Sequence, residues 1–220
     1  MKEFTYTIKE PVGIHARPAG MLAKEAKTCQ STVTIVDKNG KVFKIKGMST
    51  HGIMWEDFSD ILTKDSLKVL RDDWKVNTIR IAMYTEEWGG YCTENGKYQA
   101  QAKQKVKTGV ENAKSLGMYA IIDWHVLNDK NPNNHKNDAV KFFTEMAKTY
   151  KDYNNVIYEI CNEPNGGTSW NTIRTYAGKV IRTIRKYDKN AVILVGTPNW
   201  SQDVDVAAEK PLKGYQNIMY

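Results

Sequence analysis

The sequence predicts an α/β protein: a partial (β/α)8 TIM-barrel, about strands 1–6, preceded by a βαββ piece. Three observations predict it. After residue 46, short apolar runs alternate with helical patterns through five repeats. The runs are continuous rather than alternating, as in parallel strands covered on both faces. Polar and aromatic residues stand just past each run, where a barrel gathers strand ends on one rim.

The first piece, residues 1–45, opens on a strand at 5–9. Gly13-Ile14-His15-Ala16-Arg17-Pro18-Ala19-Gly20 follows, then a helix to about Thr28. Strands at 32–37 and 41–45 are joined by Lys38-Asn39-Gly40, and Asn-Gly supplies the positive φ of a tight hairpin. Pro18 suits a first helical turn. A His just ahead of a helix can hold a phosphate against free N–H groups and the positive end of the dipole. Arg17 can add a charge-assisted hydrogen bond.

The second piece, 46–220, has candidate strands at 46–49, 78–83, 119–124, 156–160, 191–196 and 217–220. Helical patterns lie at 60–75, 98–117, 135–151 and 170–187. The first ends Leu-Lys-Val-Leu-Arg-Asp-Asp-Trp and the third contains Val-Lys-Phe-Phe-Thr-Glu-Met-Ala, both with apolar residues at helical spacing. No Gly-rich phosphate loop follows any strand, which argues against nucleotide binding.

Composition bounds the partners. The net charge is +7, but residues 1–48 hold nine basic and four acidic residues against 23 and 21 in the remainder. No Arg-rich helix or basic–aromatic alternation points to nucleic acid. No apolar run nears the roughly 20 residues of a membrane helix. The N-terminus lacks the apolar core of a secretory signal, so a cytoplasmic chain is expected. Cys29, Cys92 and Cys161 are scattered without metal-ligand spacing, which suits a reducing compartment or core packing.

Chemistry concentrates past the strands. An apolar strand beginning at Val156 ends in Asn162-Glu163, and Pro164 stops it. A carboxylate leaving a buried strand at its C-terminal end sits where barrels place catalysis; a helix-capping role is the plain alternative. Arg80 is either a catalytic-site cation or a structural ion pair, and His125 either a hydrogen-bonding site residue or a core histidine. His51, Trp55, Tyr84 and Trp200 either present ring faces to a ligand or pack the rim. Asp123 lies within its strand and is expected to orient neighbours. Glu86 and Glu87 read as loop residues, and Asp203 and Asp205 as caps of a helix start. Cys161 reads as core, and Lys103 to Lys107 as a solvated helix face.

Five motifs then occur in order: Gly47-Met48-Ser49-Thr50-His51-Gly52; Ile79-Arg80-Ile81-Ala82-Met83-Tyr84; Ile122-Asp123-Trp124-His125; Tyr158-Glu159-Ile160-Cys161-Asn162-Glu163-Pro164; and Gly196-Thr197-Pro198-Asn199-Trp200-Ser201-Gln202-Asp203-Val204. Together they resemble glycoside hydrolase family 5, near its bacterial endo-β-1,4-glucanases, over about residues 42–220. The resemblance implies retaining hydrolysis of β-1,4-glucan without a metal or organic cofactor. It makes Glu163 the acid/base, Asn162 the partner of the sugar 2-OH, and Arg80 and His125 their support. It places His51, Trp55, Tyr84 and Trp200 in sugar subsites. The family's nucleophile is a second Glu on the seventh strand. Residues 217–220 are the sixth strand at best, so weak or absent activity is expected.

The octapeptide around His15, with its flanking strand and helix, resembles the first half of the histidine-containing phosphocarrier protein HPr. That implies a phosphoacceptor at His15 assisted by Arg17, with phosphotransferase-system proteins as partners. The two resemblances read together as a chimera whose parent cellulase would be secreted. A phosphocarrier, a non-catalytic carbohydrate-binding remnant using Trp55, Tyr84 and Trp200, and an engineered fusion are the alternatives. Six strands of eight leave open edges, so self-association or a partly molten state is expected.

Overall fold

The computed structural model describes residues 44–55 and 60–220. The elements expected within 1–43, with His15 and Arg17, lie outside the described residues. Six parallel strands form one sheet in the order β1 to β6: Gly47–Ser49, Thr78–Tyr84, Tyr119–His125, Val156–Glu159, Val192–Leu194 and Ile218–Met219. Helices α1 (Lys64–Asp72), α2 (Gln99–Ser115), α3 (Lys136–Tyr150) and α4 (Trp170–Arg185) connect them in turn. A short helix α5 (Val204–Glu209) precedes β6. Strand order follows chain order with every pairing parallel, the arrangement of a (β/α) barrel opened along one seam. Among the described residues no ladder joins β6 to β1.

The pattern expected at 60–75 divides into two elements. Asp60–Leu62 is a 3-10 turn and α1 starts after Thr63, whose Oγ1 accepts the Ser66 N–H at 3.3 Å. A side-chain acceptor at that position satisfies an orphan donor and fixes the helix start.

The strands separate two environments. Ile79, Ile81, Met83, Ala120, Ile122, Trp124, Val156, Tyr158 and Ile193 face the helices and belong to the main core. Trp124 packs against Phe142 at 5.4 Å between ring centroids, and Phe142 against Phe143 at 5.2 Å. Burying each such ring contributes roughly 1.5–3 kcal/mol. At Gly109 of α2, an added Cβ would meet Ile81 Cδ1 at 2.7 Å, so α2 lies directly on β2.

The opposite face is layered by the register. Ser49, Arg80, Ile121, Ile157 and Val192 form one row. Ala82, Asp123, Glu159 and Leu194 form the next, and Tyr84 pairs with His125 above them. The runs expected to be continuously apolar are therefore interrupted on this face. The inner rows carry Arg80, Asp123 and Glu159, because charges there neutralise one another rather than face the helix-side core.

Candidate active site

The site is built on the inner ends of β2, β3 and β4. Arg80 rises from its row to the one above. Its Nε donates to Glu159 Oε2 at 2.7 Å and its Nη2 to Glu159 Oε1 at 2.7 Å, a two-pronged pair with fixed geometry. Nη2 also lies 2.9 Å from Asp123 Oδ2 and donates to Asn162 Oδ1 at 2.7 Å. Burial alone would lower the Arg80 pKa; Asp123, the hydrogen-bonded Glu159 and Glu163 outweigh it and hold the guanidinium above its ordinary value. Burial and the Asp123 charge push the Glu159 carboxyl upward, and Arg80 opposes them. Arg80 is therefore the cation that lets two carboxylates share this depth.

The network fixes the remaining polar atoms. His125 Nδ1 lies 2.6 Å from Asp123 Oδ2. A carboxylate only accepts, so Nδ1 carries the proton and Nε2 is left as an acceptor. Asn162 Nδ2 faces that Nε2 at 3.2 Å and also donates to the Val126 carbonyl at 3.1 Å. The Asn162 amide is thus oriented, its oxygen toward Arg80 and its nitrogen toward His125. Asp123 is fully buried, and its Oδ1 has no partner among the described residues.

Glu163 follows directly and is half-buried. Among the described residues no hydrogen bond engages its carboxylate, while its charge acts on both Arg80 and Tyr84. Its backbone is held from two sides. The Asn162 N–H donates to the Trp124 carbonyl, Asn165 Nδ2 to the Glu163 carbonyl at 2.9 Å, and Ser201 Oγ to the Asn162 carbonyl at 2.9 Å. Gly196 passes so close that a Cβ there would strike the Asn162 and Cys161 carbonyls. A glycine is required at that crossing, and it keeps β5 pressed against the loop bearing Glu163.

Four rings line the neighbouring rim. His51 stacks near Trp55 at 4.8 Å and Tyr84 at 5.7 Å, and Tyr84 lies 4.0 Å from His125. Trp55 Nε1 donates to the Trp88 carbonyl at 3.0 Å, which ties this platform to the loop after β2. Burial, then Glu87 and Asp123, raise the Tyr84 pKa above its usual value, so its hydroxyl stays protonated.

Trp200 stands apart from these rings. It is 46% exposed on a left-handed turn at Asn199, Trp200 and Ser201, with φ of 55°, 56° and 60°. Its N–H donates to the Pro164 carbonyl at 3.0 Å, so it flanks the Glu163 loop from the β5 side. Three consecutive non-glycine residues in this region cost roughly 1–2 kcal/mol each, and such strain clusters at functional surfaces.

The structure thus brings Arg80, His125 and Asn162 into one bonded network beside Glu163, sets His51, Trp55 and Tyr84 along one flank, and puts Trp200 on the other. Asp123 orients both Arg80 and His125, as its place in the strand suggests. Sequence reasoning missed Glu159. The available signal was an acid inside Val156-Ile157-Tyr158-Glu159-Ile160, which requires a buried counter-charge. The expected caps are corrected: Asp203 precedes α5 but makes no capping bond. Its Oδ1 instead accepts from Asn199 Nδ2 at 3.5 Å, because the left-handed turn brings Asn199 alongside.

The model for cellulase (glycosyl hydrolase family 5) matches residues 36–220, and the model for the PTS HPr component phosphorylation site matches residues 2–56. An endoglucanase of Clostridium saccharobutylicum is 54% identical over 187 residues, covering 84% of this chain and 40% of that protein. Endoglucanase A of Butyrivibrio fibrisolvens is 50% identical over 186 residues, covering 84% and 42%. The chain therefore spans about two fifths of the length of these relatives. Among solved structures, cellulase Cel5C_n superposes with a TM-score of 0.80 at 45% identity, covering 85% of this chain and 58% of that one. The catalytic domain of Thermobifida fusca endoglucanase Cel5A gives 0.74 at 37% identity, covering 90% and 65%; a variant of it has been solved in complex with cellotetraose.

Proposed function

The chain belongs to glycosyl hydrolase family 5, the cellulase family, and from that membership we propose that its rim is a β-1,4-glucan cleft with Glu163 as the acid/base. The single observation that carries this reading is the closed network of Arg80, Asn162, His125 and Asp123 beside a carboxylate that, among the described residues, no hydrogen bond engages. A general acid must present its proton to the leaving glycosidic oxygen, and a carboxyl without an internal partner can do so. Asn162, oriented at both ends of its amide, stands one residue before Glu163 and offers a polar contact to the sugar 2-OH. His51, Trp55 and Tyr84 present ring faces for pyranose stacking on one side, and Trp200 on the other. No step in this scheme needs a metal or organic cofactor.

Cellotetraose binding to the 220-residue chain, read by tryptophan fluorescence, tests the cleft. Trp55→Ala is expected to weaken binding about tenfold or more, equivalent to about 1.4 kcal/mol. Trp74→Ala, which removes an exposed indole away from the rim, is expected to leave affinity unchanged. A chain that neither binds cellotetraose nor cleaves glucan would overturn the reading.

A second reading, phosphoryl transfer through His15, is favoured by the match over residues 2–56. That match overlaps the cellulase match over residues 36–56. Within the overlap, Gly47–Ser49 form β1, and the Thr50 N–H donates to the Arg80 carbonyl. Residues paired into the barrel sheet are not free to complete a phosphocarrier fold. Transfer of labelled phosphate from phosphorylated enzyme I to His15 is therefore expected to be weak or absent. Stoichiometric labelling abolished by His15→Ala would make phosphoryl transfer the better reading.

A further inference from the structure

We propose that Cys92, His135 and Asp138 form a binding site for a divalent cation of the zinc type, separate from the glucan cleft. One ligand atom from each of the three residues lies within 4.8 Å of the other two. A tetrahedral zinc ion with bonds of about 2.0–2.3 Å holds its ligands roughly 3.3–3.8 Å apart. Each side chain needs to close by only about 1 Å, within the reach of its χ torsions.

The local fold prepares all three. After β2 the chain turns back on itself, with the Tyr91 N–H donating to the Tyr84 carbonyl and the Cys92 N–H to the Thr85 carbonyl at 2.9 Å. Gly90 makes that reversal possible, since a Cβ there would sit 2.7 Å from the Thr85 and Glu87 carbonyls. Cys92 is thereby pinned facing the start of α3. His135 stands at the N-cap position of α3 and Asp138 in its first turn. Residues three apart share one helix face, so the imidazole and the carboxylate approach Cys92 together.

The surroundings fit a metal better than they fit an empty cluster. His135 Nε2 lies 2.6 Å from Glu86 Oε1. With Nε2–H donating to that carboxylate, Nδ1 is left as a lone pair, the carboxylate–histidine arrangement that supports a bound metal. Asp138 lies within the trio and Glu86 against His135, so negative charge is gathered beside Cys92. The nearby cation Lys141 reaches Asp138 at only 3.5 Å from a side chain that is 77% exposed, so it yields readily. All three ligand residues are half-buried, which leaves a path for the ion and a position for water.

The donor set selects the ion. A thiolate with an imidazole favours zinc, or cobalt in its place, over magnesium and calcium, which take oxygen ligands. On binding, the Cys92 thiol gives its proton to solvent as the sulfur–metal bond forms. The bond would clamp the loop after β2 to α3. That loop carries Trp88, whose carbonyl holds Trp55, so the cation would stiffen the platform beside the cleft. The trio is hidden in the sequence because its members are separated by 43 and 3 positions, unlike the close pairs of a zinc finger.

Cobalt titration of the metal-free 220-residue chain tests the site. One equivalent of Co2+ is expected to give thiolate-to-cobalt charge-transfer absorption, which Zn2+ then displaces. Cys92→Ser should abolish the absorption and Cys29→Ser should retain it. Glu86→Gln, a partly exposed change outside the ligand set, should weaken Co2+ binding about 10–100-fold. Absence of the charge-transfer band in the unsubstituted chain, or its persistence in Cys92→Ser, would overturn the proposal. Unchanged affinity in both Glu86→Gln and Asp138→Asn would also overturn it.

Discussion

A polypeptide of residues 1–220 is expected to hydrolyse soluble β-1,4-glucan several orders of magnitude more slowly than a typical enzyme turning over at roughly 10 s⁻¹. A retaining glycosidase needs a second carboxylate about 5–5.5 Å from its acid, free to attack the anomeric carbon. Among the described residues, the acids nearest this site are otherwise committed. Glu159 is held by two hydrogen bonds from Arg80. Asp123 is fully buried, bonded to His125 and paired with Arg80. Glu86 holds His135, and Glu87 accepts the Asn128 N–H at 3.3 Å. Asp203 faces Asn199 at the start of α5. Without a second carboxylate at that distance the reaction lacks a nucleophile rather than a contact, and each factor of ten corresponds to about 1.4 kcal/mol of barrier. A reducing-sugar assay on the purified polypeptide decides it. Turnover near 10 s⁻¹, abolished by Glu163→Gln, would mean that another acid serves as nucleophile. Glu159→Gln is the first variant to distinguish that case.

Arg80→Met is expected to be the most destabilising single change at the site, by about 3–5 kcal/mol, the usual cost of leaving a buried charge without its partner. The loss would be read as a shift in the urea midpoint at constant slope. Lys107→Ala breaks an exposed pair with Glu111 at 3.8 Å and is expected to leave the midpoint unchanged. The effect of Arg80→Met should depend on pH in a definite direction. Burial and Asp123 already raise the folded-state Glu159 carboxyl, and Arg80 is what opposes them. Without Arg80 that carboxyl binds its proton more tightly in the folded than in the unfolded chain. Stability is then greatest below the unfolded value near 4.3 and falls as pH rises through the folded value. The defect should therefore be large at neutral pH and shrink toward pH 4. A defect of equal size at both pH values would show that Arg80 acts through packing rather than charge.

Several features were legible in the chain before its structure. The strand runs beginning near Thr78, Tyr119 and Val156 and the helical patterns ending near Ser115, Tyr150 and Arg185 survive within a few residues. Their apolar spacing is dictated by the helix-side core, which every parallel strand must face. The rim residues were legible for a related reason. Parallel strands send their C-terminal ends to one side, so Arg80, His125 and Asn162 had to share a rim once the sheet order followed the chain order. Thr63 shows the limit of periodicity, since a single side-chain oxygen divided an expected continuous helix into two elements.

By itself, the sequence determined the α/β class, the run of six parallel strands, the family to which the chain belongs, and the rim positions of Glu163 and its neighbours. These follow from local pattern and chain order, which are carried along the sequence. Only the tertiary structure decided which groups are bonded. Glu159 became the main partner of Arg80 because two strands, 79 positions apart in the chain, set them in adjacent inner rows. The protonated nitrogen of His125 was fixed by Asp123 and the orientation of Asn162 by Arg80 and Val126. Cys92 met His135 and Asp138 because a reversed loop after β2 faces the start of α3. Hydrogen bonds and ion pairs act over a few ångströms in space, and a distance of that size has no counterpart in sequence spacing until the chain has folded.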